Sequence, residues 1–421
     1  MPEENNPDII IVGAGMVGVT LATALAPSGL KILLLEQREG DVSGFSEWVS
    51  SQQEEGFDPR VSALTCASRQ ILQNVGAWDY MQGFRLSPYT DMDVWDGEGT
   101  GHIHFSARDL HEPELGNIVE NRVTLAGLYQ AMQACENIQF LTGVEVSKLS
   151  PPEENGRRVS FKDGRSFQAP LVVAADGALS KTRQMAGIPM WEWDYGHHAI
   201  VTTVRTEKDH QQTAWQRFTD DGPLALLPLT SSGDEHVCSI VWSTSPEHAK
   251  ELMALDDEQF CQALARAFES RLGQIVSCDQ RHVFPLRQRH AKHYIQSGFA
   301  AIGDAAHTIH PLAGQGVNLG LLDAAQLAET LLEAHQRGED LGSERVLKRF
   351  QRLRRVDNVK MAAAMEGFKN LFGQKQPLLR LARNMGMNLL DKISPVKNHI
   401  VLDAMGLSGN LPLLAKRPIK D

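Results

Sequence analysis

A chain of 421 residues, 42% hydrophobic and 22% charged, is long enough for two packed domains or for one large domain interrupted by a smaller one, and no tract reads as disordered. Its net charge of −11 argues against nucleic acid as a partner. The five cysteines, Cys66, Cys135, Cys238, Cys261 and Cys278, form no Cys-x-x-Cys pair, which reads as a reduced, cytoplasmic protein without a structural metal.

The residues before the first apolar run hold no Lys or Arg, unlike a secretory leader. From Ile9 to Leu30 there is no charge, but Gly13, Gly15, Gly18 and Pro27 punctuate the stretch, so a strand and a buried helix are predicted in place of a membrane span. The order is strand from Asp8 to Val12, glycine turn, helix to about Ala26, and strand from Lys31 to Glu36. Polar, acidic Gly40 to Pro59 predicts a surface insertion. Helical patterns from Ala67 to Gly76 and from Thr124 to Cys135 precede a strand-like stretch from Ile138 to Leu149.

Between Pro189 and Pro285, alternating runs such as Ala199 to Val204, Leu224 to Leu229 and Val237 to Ser243 predict an antiparallel sheet. A single amphipathic helix interrupts it, started by Asp256 or Asp257 and ended by Gly273, with Phe260, Leu264 and Phe268 on one face. Nucleotide-binding texture returns at Phe299, and the remainder from Arg345 reads as helical, broken by Pro377 and Pro395. From Arg345 to Ile400 there are thirteen Lys or Arg against three Asp or Glu. That basic stretch is either a solvated surface or a docking face for anionic lipid or a partner protein.

Three constellations carry chemistry. In Gly13-Ala14-Gly15-Met16-Val17-Gly18, the first glycine permits a tight turn, the second lets backbone approach a pyrophosphate, and the third lets helix pack on strand. The helix N-terminus offers free N–H groups to the phosphates, and Glu36, closing the next strand, would accept from ribose hydroxyls and repel a 2′-phosphate. This unit binds NAD or FAD and does not choose between them. The choice comes from Gly303-Asp304-Ala305-Ala306-His307 and Pro311-Leu312-Ala313-Gly314-Gln315-Gly316-Val317-Asn318. A buried strand delivers Asp304 to the sheet edge, where a carboxylate can hold a ribityl chain, and the helix opening at Gly314 to Val317 favours negative charge on a reduced isoalloxazine. NAD enzymes need no such second site, so the cofactor read is FAD. The third constellation is Asp176-Gly177-Ala178, after an apolar strand and followed by Ser180 and Arg183.

In this order the motifs make the chain resemble the class A flavoprotein monooxygenases of the para-hydroxybenzoate hydroxylase type over nearly its whole length. Asp58-Pro59-Arg60-Val61-Ser62-Ala63-Leu64, Trp193-Asp194-Tyr195-Gly196-His197-His198-Ala199, Gly303 through Gly320, and Ala404-Met405-Gly406-Leu407 are similar to the ubiquinone-biosynthesis hydroxylases of the 2-polyprenylphenol branch. The resemblance implies an α/β fold, with a Rossmann-like FAD-binding domain (1–85, 105–188 and 285–345). It also implies an inserted antiparallel-sheet substrate domain (86–104 and 189–284) and a helical C-terminal region (346–421). It places Arg38, Arg60 and Arg122 near the FAD phosphates or adenosine, Val146 beside the adenine, Asp176 and Arg183 near the cofactor groove, Asp304 on the ribityl chain and Pro311 close to the flavin. Pro228 is its candidate for the flavin and substrate pocket; His197 and His198 fall in a strand and face opposite sides, so one of them, with His198 as the candidate, can face the substrate, although a proline at a strand edge and a histidine in a strand are as readily structural.

Two look-alikes need no special chemistry. His307 and His310 suggest a metal pair but lack a third ligand, and Trp191-Glu192-Trp193 reads as packing or as a wall of the substrate cavity. No Gly-x-Ser-x-Gly elbow, His-Glu-x-x-His or Cys-x-x-Cys is present. The function implied is hydroxylation of a polyprenylphenol ring, with transient NAD(P)H and O2, through a C4a-hydroperoxide of the flavin. The alternatives are a hydroxylase of another aromatic, or a non-catalytic flavoprotein scaffold of a quinone-biosynthesis complex. The expected location is cytoplasmic, peripheral at the inner face of the membrane or in such a complex through residues 345–400, with a homo-oligomer left open.

Overall fold

A computed structural model of the chain describes residues 6–52, 56–231, 233–308, 316–372 and 376–417. Strand Ile9–Val12 pairs in parallel with Ile32–Leu35 on one side and Leu171–Ala174 on the other. Ile138–Leu141, Phe299–Ala301 and the antiparallel edge Ile295–Gln296 complete a six-stranded sheet. The central strands are uninterrupted apolar runs, because both faces are covered and no position needs a polar side chain. Helix Met16–Leu25 packs against Asn121–Gln133 and Gly316–Gln336. Since the chain leaves Ile9–Val12 for Ile32–Leu35 on one side and later adds Leu171–Ala174 on the other, a crevice opens beyond the carboxyl end of Ile9–Val12.

A nine-stranded sheet carries the other half. Its order is His307–Thr308, His282–Ala291, Met190–Thr206, Asp234–Thr244, Gly222–Ser231, Thr213–Thr219, Asp91–Asp96 and His102–Ser106, with Ile275–Cys278 on Met190–Thr206. The predicted antiparallel texture holds except where Thr213–Thr219 runs parallel to Asp91–Asp96. Because His307–Thr308 follows the Gly-Asp motif and pairs with His282–Ala291, this sheet is fastened directly to the cofactor half.

Three expectations are corrected. Gly40 to Pro59 is not simply a polar insertion: Val42–Ser51 is a helix, N-capped by the Asp41 side chain on the Gly44 N–H, with Val42 and Val49 buried beneath polar neighbours. The stretch from Ile138 to Leu149 is two strands, Ile138–Leu141 and Val146–Leu149, in different sheets. The chain turns between them at Gly143, whose φ is +69° and whose N–H donates to the Arg38 carbonyl at 3.1 Å. Two helices rather than one enter the second sheet, Pro246–Ala254 and Asp257–Ala267, the latter capped by Asp256 as predicted but ending before Gly273. Pro246 opens the first at a position whose N–H would be unpaired anyway.

The C-terminal helices are Glu344–Phe372, Pro377–Lys392 and Ser394–Ala404, so both predicted proline breaks fall at helix starts. Their basic residues are not one solvated face. Arg383 is buried against Asp96, Arg380 pairs with Asp220, Arg354 is buried on Asp323, and Lys397 reaches Asp109 and Asp391. These pairs tie the helices to one another, to strand Asp91–Asp96 and to neighbouring turns; among the described residues, exposed basic side chains cluster in the first half of Glu344–Phe372.

Candidate functional site

The crevice is a cleft of about 600 Å³. Gly13 ends the first strand with φ +106°, and a Cβ there would lie 2.5 Å from the Ala175 carbonyl oxygen, so the turn admits only glycine. Gly15 caps the helix without any side-chain hydrogen bond, leaving the first-turn N–H groups open towards the cleft for an anion. Glu36 accepts from the Ala14 N–H at 3.0 Å through one oxygen and from the Arg38 N–H at 3.0 Å through the other. A carboxylate has about four lone-pair sites, so capacity remains for ribose hydroxyls. Arg38, Arg60, Val146 and Asp176 line the same cleft, which brings most of the sequence-derived phosphate and adenosine candidates together.

Sequence reasoning missed Tyr129. Its hydroxyl donates to the Ala14 carbonyl at 3.0 Å and its ring lines the cleft, while burial, chiefly, pushes the phenol up to about 12. It is therefore a neutral brace for the glycine turn. Leu125 and Phe140 add an apolar wall. Their only signal was apolar placement in a helix and a strand, which core residues share.

The Asp-Gly turn is organised by Asp176, which accepts from the Ser180 hydroxyl and from the Thr182 N–H and hydroxyl at 3.1 and 2.9 Å. Ser180 caps the short helix Lys181–Met185 on the Arg183 N–H. Arg183, buried, donates from Nη1 to the Ala305 carbonyl at 3.1 Å, tying the Asp-Gly turn to the Gly-Asp turn. Desolvation lowers its guanidinium pKa, with Asp176 opposing.

In the Gly-Asp segment, Phe299–Ala301 delivers Asp304 into a 3₁₀ turn, Gly303–Ala305. Asp304 keeps an exposed surface, yet the surrounding protein desolvates its carboxyl and raises its pKa, against the pull of His307 and Arg289. The turn rests on Asp323 of helix Gly316–Gln336. That carboxylate accepts from the Gly303 N–H at 3.1 Å, His307 Nε2 at 2.5 Å, Arg354 Nε at 2.8 Å and Asn358 Nδ2 at 3.2 Å. Burial alone would raise Asp323, but the charges of His307 and Arg354 and their hydrogen bonds hold it well below the ordinary carboxylate range. His307 is thus the partner of a carboxylate; His310 lies outside the described residues.

Other candidates stand elsewhere. Arg122 is not on the cleft: its guanidinium is held by Glu120 at 2.6 Å and the Gly56 carbonyl at 3.2 Å. Asn318 is buried, accepting from the Thr65 N–H and Ser68 hydroxyl and donating to the Ala63 carbonyl, so its side chain braces two elements. Gly18 lies under the turn against Gly13. Gly316 opens its helix and Val317 follows, both outside the cleft, while Pro311 and Gly314 lie outside the described residues. His198 is half-buried opposite Thr244 and Pro285, just past an irregularity at Asp194/His198 that includes Gly196 at φ +64°. Pro228 is buried in Gly222–Ser231 beyond Leu226, the last residue paired with Thr213–Thr219, so its missing N–H costs no hydrogen bond to that strand.

Residues 6–360 match the family model described as FAD binding domain. A 3-demethoxyubiquinol 3-hydroxylase of Escherichia coli (strain K12) is 38% identical over 404 residues, spanning 96% of this chain and 100% of that protein. The chain belongs to the FAD-dependent monooxygenases. A mitochondrial ubiquinone biosynthesis monooxygenase of Xenopus tropicalis is 34% identical over 440 residues, covering 94% of this chain and 92% of its own. The crystal structure of p-nitrophenol 4-monooxygenase from Pseudomonas putida shares the fold with a TM-score of 0.74 at 20% identity, over 96% of this chain and 99% of that one.

The monooxygenase's own residues fit the cofactor. A cleft with an uncapped helix N-terminus, an acid on the glycine turn and an apolar wall suits the ADP half of FAD. Bound FAD supplies a ring that is reduced by NAD(P)H and activates O2; the chain's part is to hold it.

Proposed function

We propose that the chain hydroxylates the aromatic ring of a polyprenylphenol intermediate of ubiquinone biosynthesis, using NAD(P)H and O2. The observation that carries the reading is similarity to a 3-demethoxyubiquinol 3-hydroxylase over 96% of this chain, on a fold whose Asp-Gly and Gly-Asp turns are joined through Arg183 and Ala305. In this reading Glu36, Arg38 and Arg60 hold the ADP end and Asp304 holds ribityl hydroxyls. The helix start at Gly316 and Val317 favours negative charge on the reduced ring, and Pro311, Pro228 and His198 line the space for the phenol. NAD(P)H binds transiently. A prenylated substrate partitions into the bilayer, so the enzyme works from the cytoplasmic side, touching the membrane peripherally.

The test is oxygen uptake by the flavin-loaded protein. A prenylated phenol is expected to stimulate NAD(P)H oxidation and to yield hydroxylated product in amounts equal to the oxygen consumed. Stimulation by unprenylated aromatics alone would move the substrate elsewhere on the same fold. A yellow protein with no phenol-stimulated oxidation would make it a scaffold.

A further inference from the structure

Helix Glu344–Phe372 presents Arg345, Lys348, Arg352, Arg355 and Lys360 along an open groove of about 730 Å³. Spaced three or four residues apart for most of its length, they form one stripe roughly 22 Å long. Lys348 pairs with Glu344, whereas Arg345, Arg352, Arg355 and Lys360 have no acidic partner among the described residues. Val356 and Val359 stand exposed within the stripe. A chain with net charge −11 has therefore gathered unneutralised cations on one face.

A chain of contacts links this helix to an exposed aromatic pair. Trp191 and Trp193 are 44% and 51% exposed with ring centroids 6.3 Å apart. The link passes beneath the surface: the side-chain oxygen of Gln351 in the helix accepts from the N–H of buried Tyr294 at 2.9 Å. The Tyr294 hydroxyl meets His290 at 3.0 Å, and Trp191 stacks on His290. Lys292 Nζ lies 5.8 Å from the Trp191 ring centre. His290 also pairs with His307, so the patch stands one strand from the segment that carries Asp304.

We infer that this surface, Trp191, Trp193 and Lys292 with the first half of helix Glu344–Phe372, docks the enzyme on a bilayer containing anionic phospholipid. Cations spread along an open stripe suit a sheet of mobile headgroups better than a single anion, and exposed tryptophans beside them suit the headgroup level of a membrane. Docking there sets the flavin-side turns next to the bilayer, where a lipid-borne phenol would enter. In that last respect it rests on the proposed function; the binding itself does not.

The test is co-sedimentation of the flavin-loaded enzyme with phosphatidylcholine vesicles, with and without phosphatidylglycerol, at low and high salt. Each basic residue near a charged membrane surface strengthens partitioning about five-fold, so R352E/R355E is expected to weaken binding to the anionic vesicles by roughly 30-fold or more. W191S/W193S is expected to weaken binding and to remove quenching of protein fluorescence by brominated lipid. The control K148E/R158E makes the same charge change on another surface and should bind as the native protein does. Flavin absorbance and thermal unfolding verify that each variant is folded, and R345E/R352E repeats the charge test if R352E/R355E fails that check. Binding by R352E/R355E within two-fold of native, or native binding equal on neutral vesicles, overturns the inference. Native protein that ignores anionic vesicles also overturns it and leaves an acidic protein as the occupant. Turnover of a short-tailed, water-soluble prenylphenol without vesicles reads the proposed function separately, so each can fail alone.

Discussion

Gly18→Ala is expected to yield a destabilised protein that purifies without flavin, whereas Gly15→Ala should fold normally and lose affinity only. At Gly18 a Cβ would sit 1.9 Å from the Gly13 carbonyl oxygen and 3.3 Å from the Ala175 side chain. Neither backbone atom nor neighbouring strand can retreat without separating Met16–Leu25 from the central sheet, and overpacking of a rigid contact costs about 3 kcal/mol or more. At Gly15 the backbone is ordinary, φ −73° and ψ 179°, and a Cβ would meet nothing within 4 Å. Glycine is therefore not required there by the protein alone; the open space is where a pyrophosphate can approach. An alanine methyl crowding that approach costs about 1–3 kcal/mol, or roughly 5- to 150-fold in the Kd for FAD. Thermal unfolding of the flavin-free proteins and fluorescence titration with FAD separate the two effects. Equal loss of stability in both variants would mean that Gly15 serves packing and that the cleft is not reserved for phosphate.

The same contrast explains what was legible in the chain. Gly13, Gly15, Gly18 and Glu36 are read from local order alone, because strand, turn, helix and acid are contiguous and each residue's role is set by its neighbours. Asp176 and Asp304 announce themselves by the apolar strands that precede them. Tyr129 and Asp323 do not, since each sits in a helix whose pattern is ordinary, and their partners, Ala14 for the first and Gly303, His307 and Arg354 for the second, lie across the fold. Asn318 and Arg122 show the converse. Both have the residue type a ligand would want, and both already hold tertiary contacts, Asn318 with Ala63, Thr65 and Ser68 and Arg122 with Glu120, that no local pattern announces. The basic C-terminal stretch failed as a single face for the same reason: periodicity does not reveal that Arg354, Arg380 and Arg383 turn inward to acids on other elements.

Asp323→Asn should be strongly destabilising for a near-isosteric change. It removes the one negative charge that Arg354 and His307 share inside the fold, where all three side chains are at most 3% exposed. Breaking a buried ion pair from one side costs about 3–5 kcal/mol, because the remaining charge stays desolvated. Removing Arg354 as well, as Asp323→Asn with Arg354→Met, should cost less than the two single changes added together. The pH dependence has a definite sign. Asp323 titrates lower in the folded than in the unfolded chain, so its contribution is fully present above the ordinary carboxylate pKa of about 4. It is lost progressively as pH falls through the lower folded value. The stability gap between native and Asp323→Asn should accordingly be constant near neutrality and narrow as the solution is acidified below about pH 4. His290, held low mainly by burial, also destabilises the fold on acidification; present in both proteins, it largely cancels from the difference. Asp323 also accepts from the Gly303 N–H, so the variant should release flavin more readily than its loss of global stability accounts for, measured as the FAD Kd at a temperature where both proteins are folded. A gap that widens in acid, or an unchanged FAD Kd, would separate this buried cluster from the cofactor turn it supports.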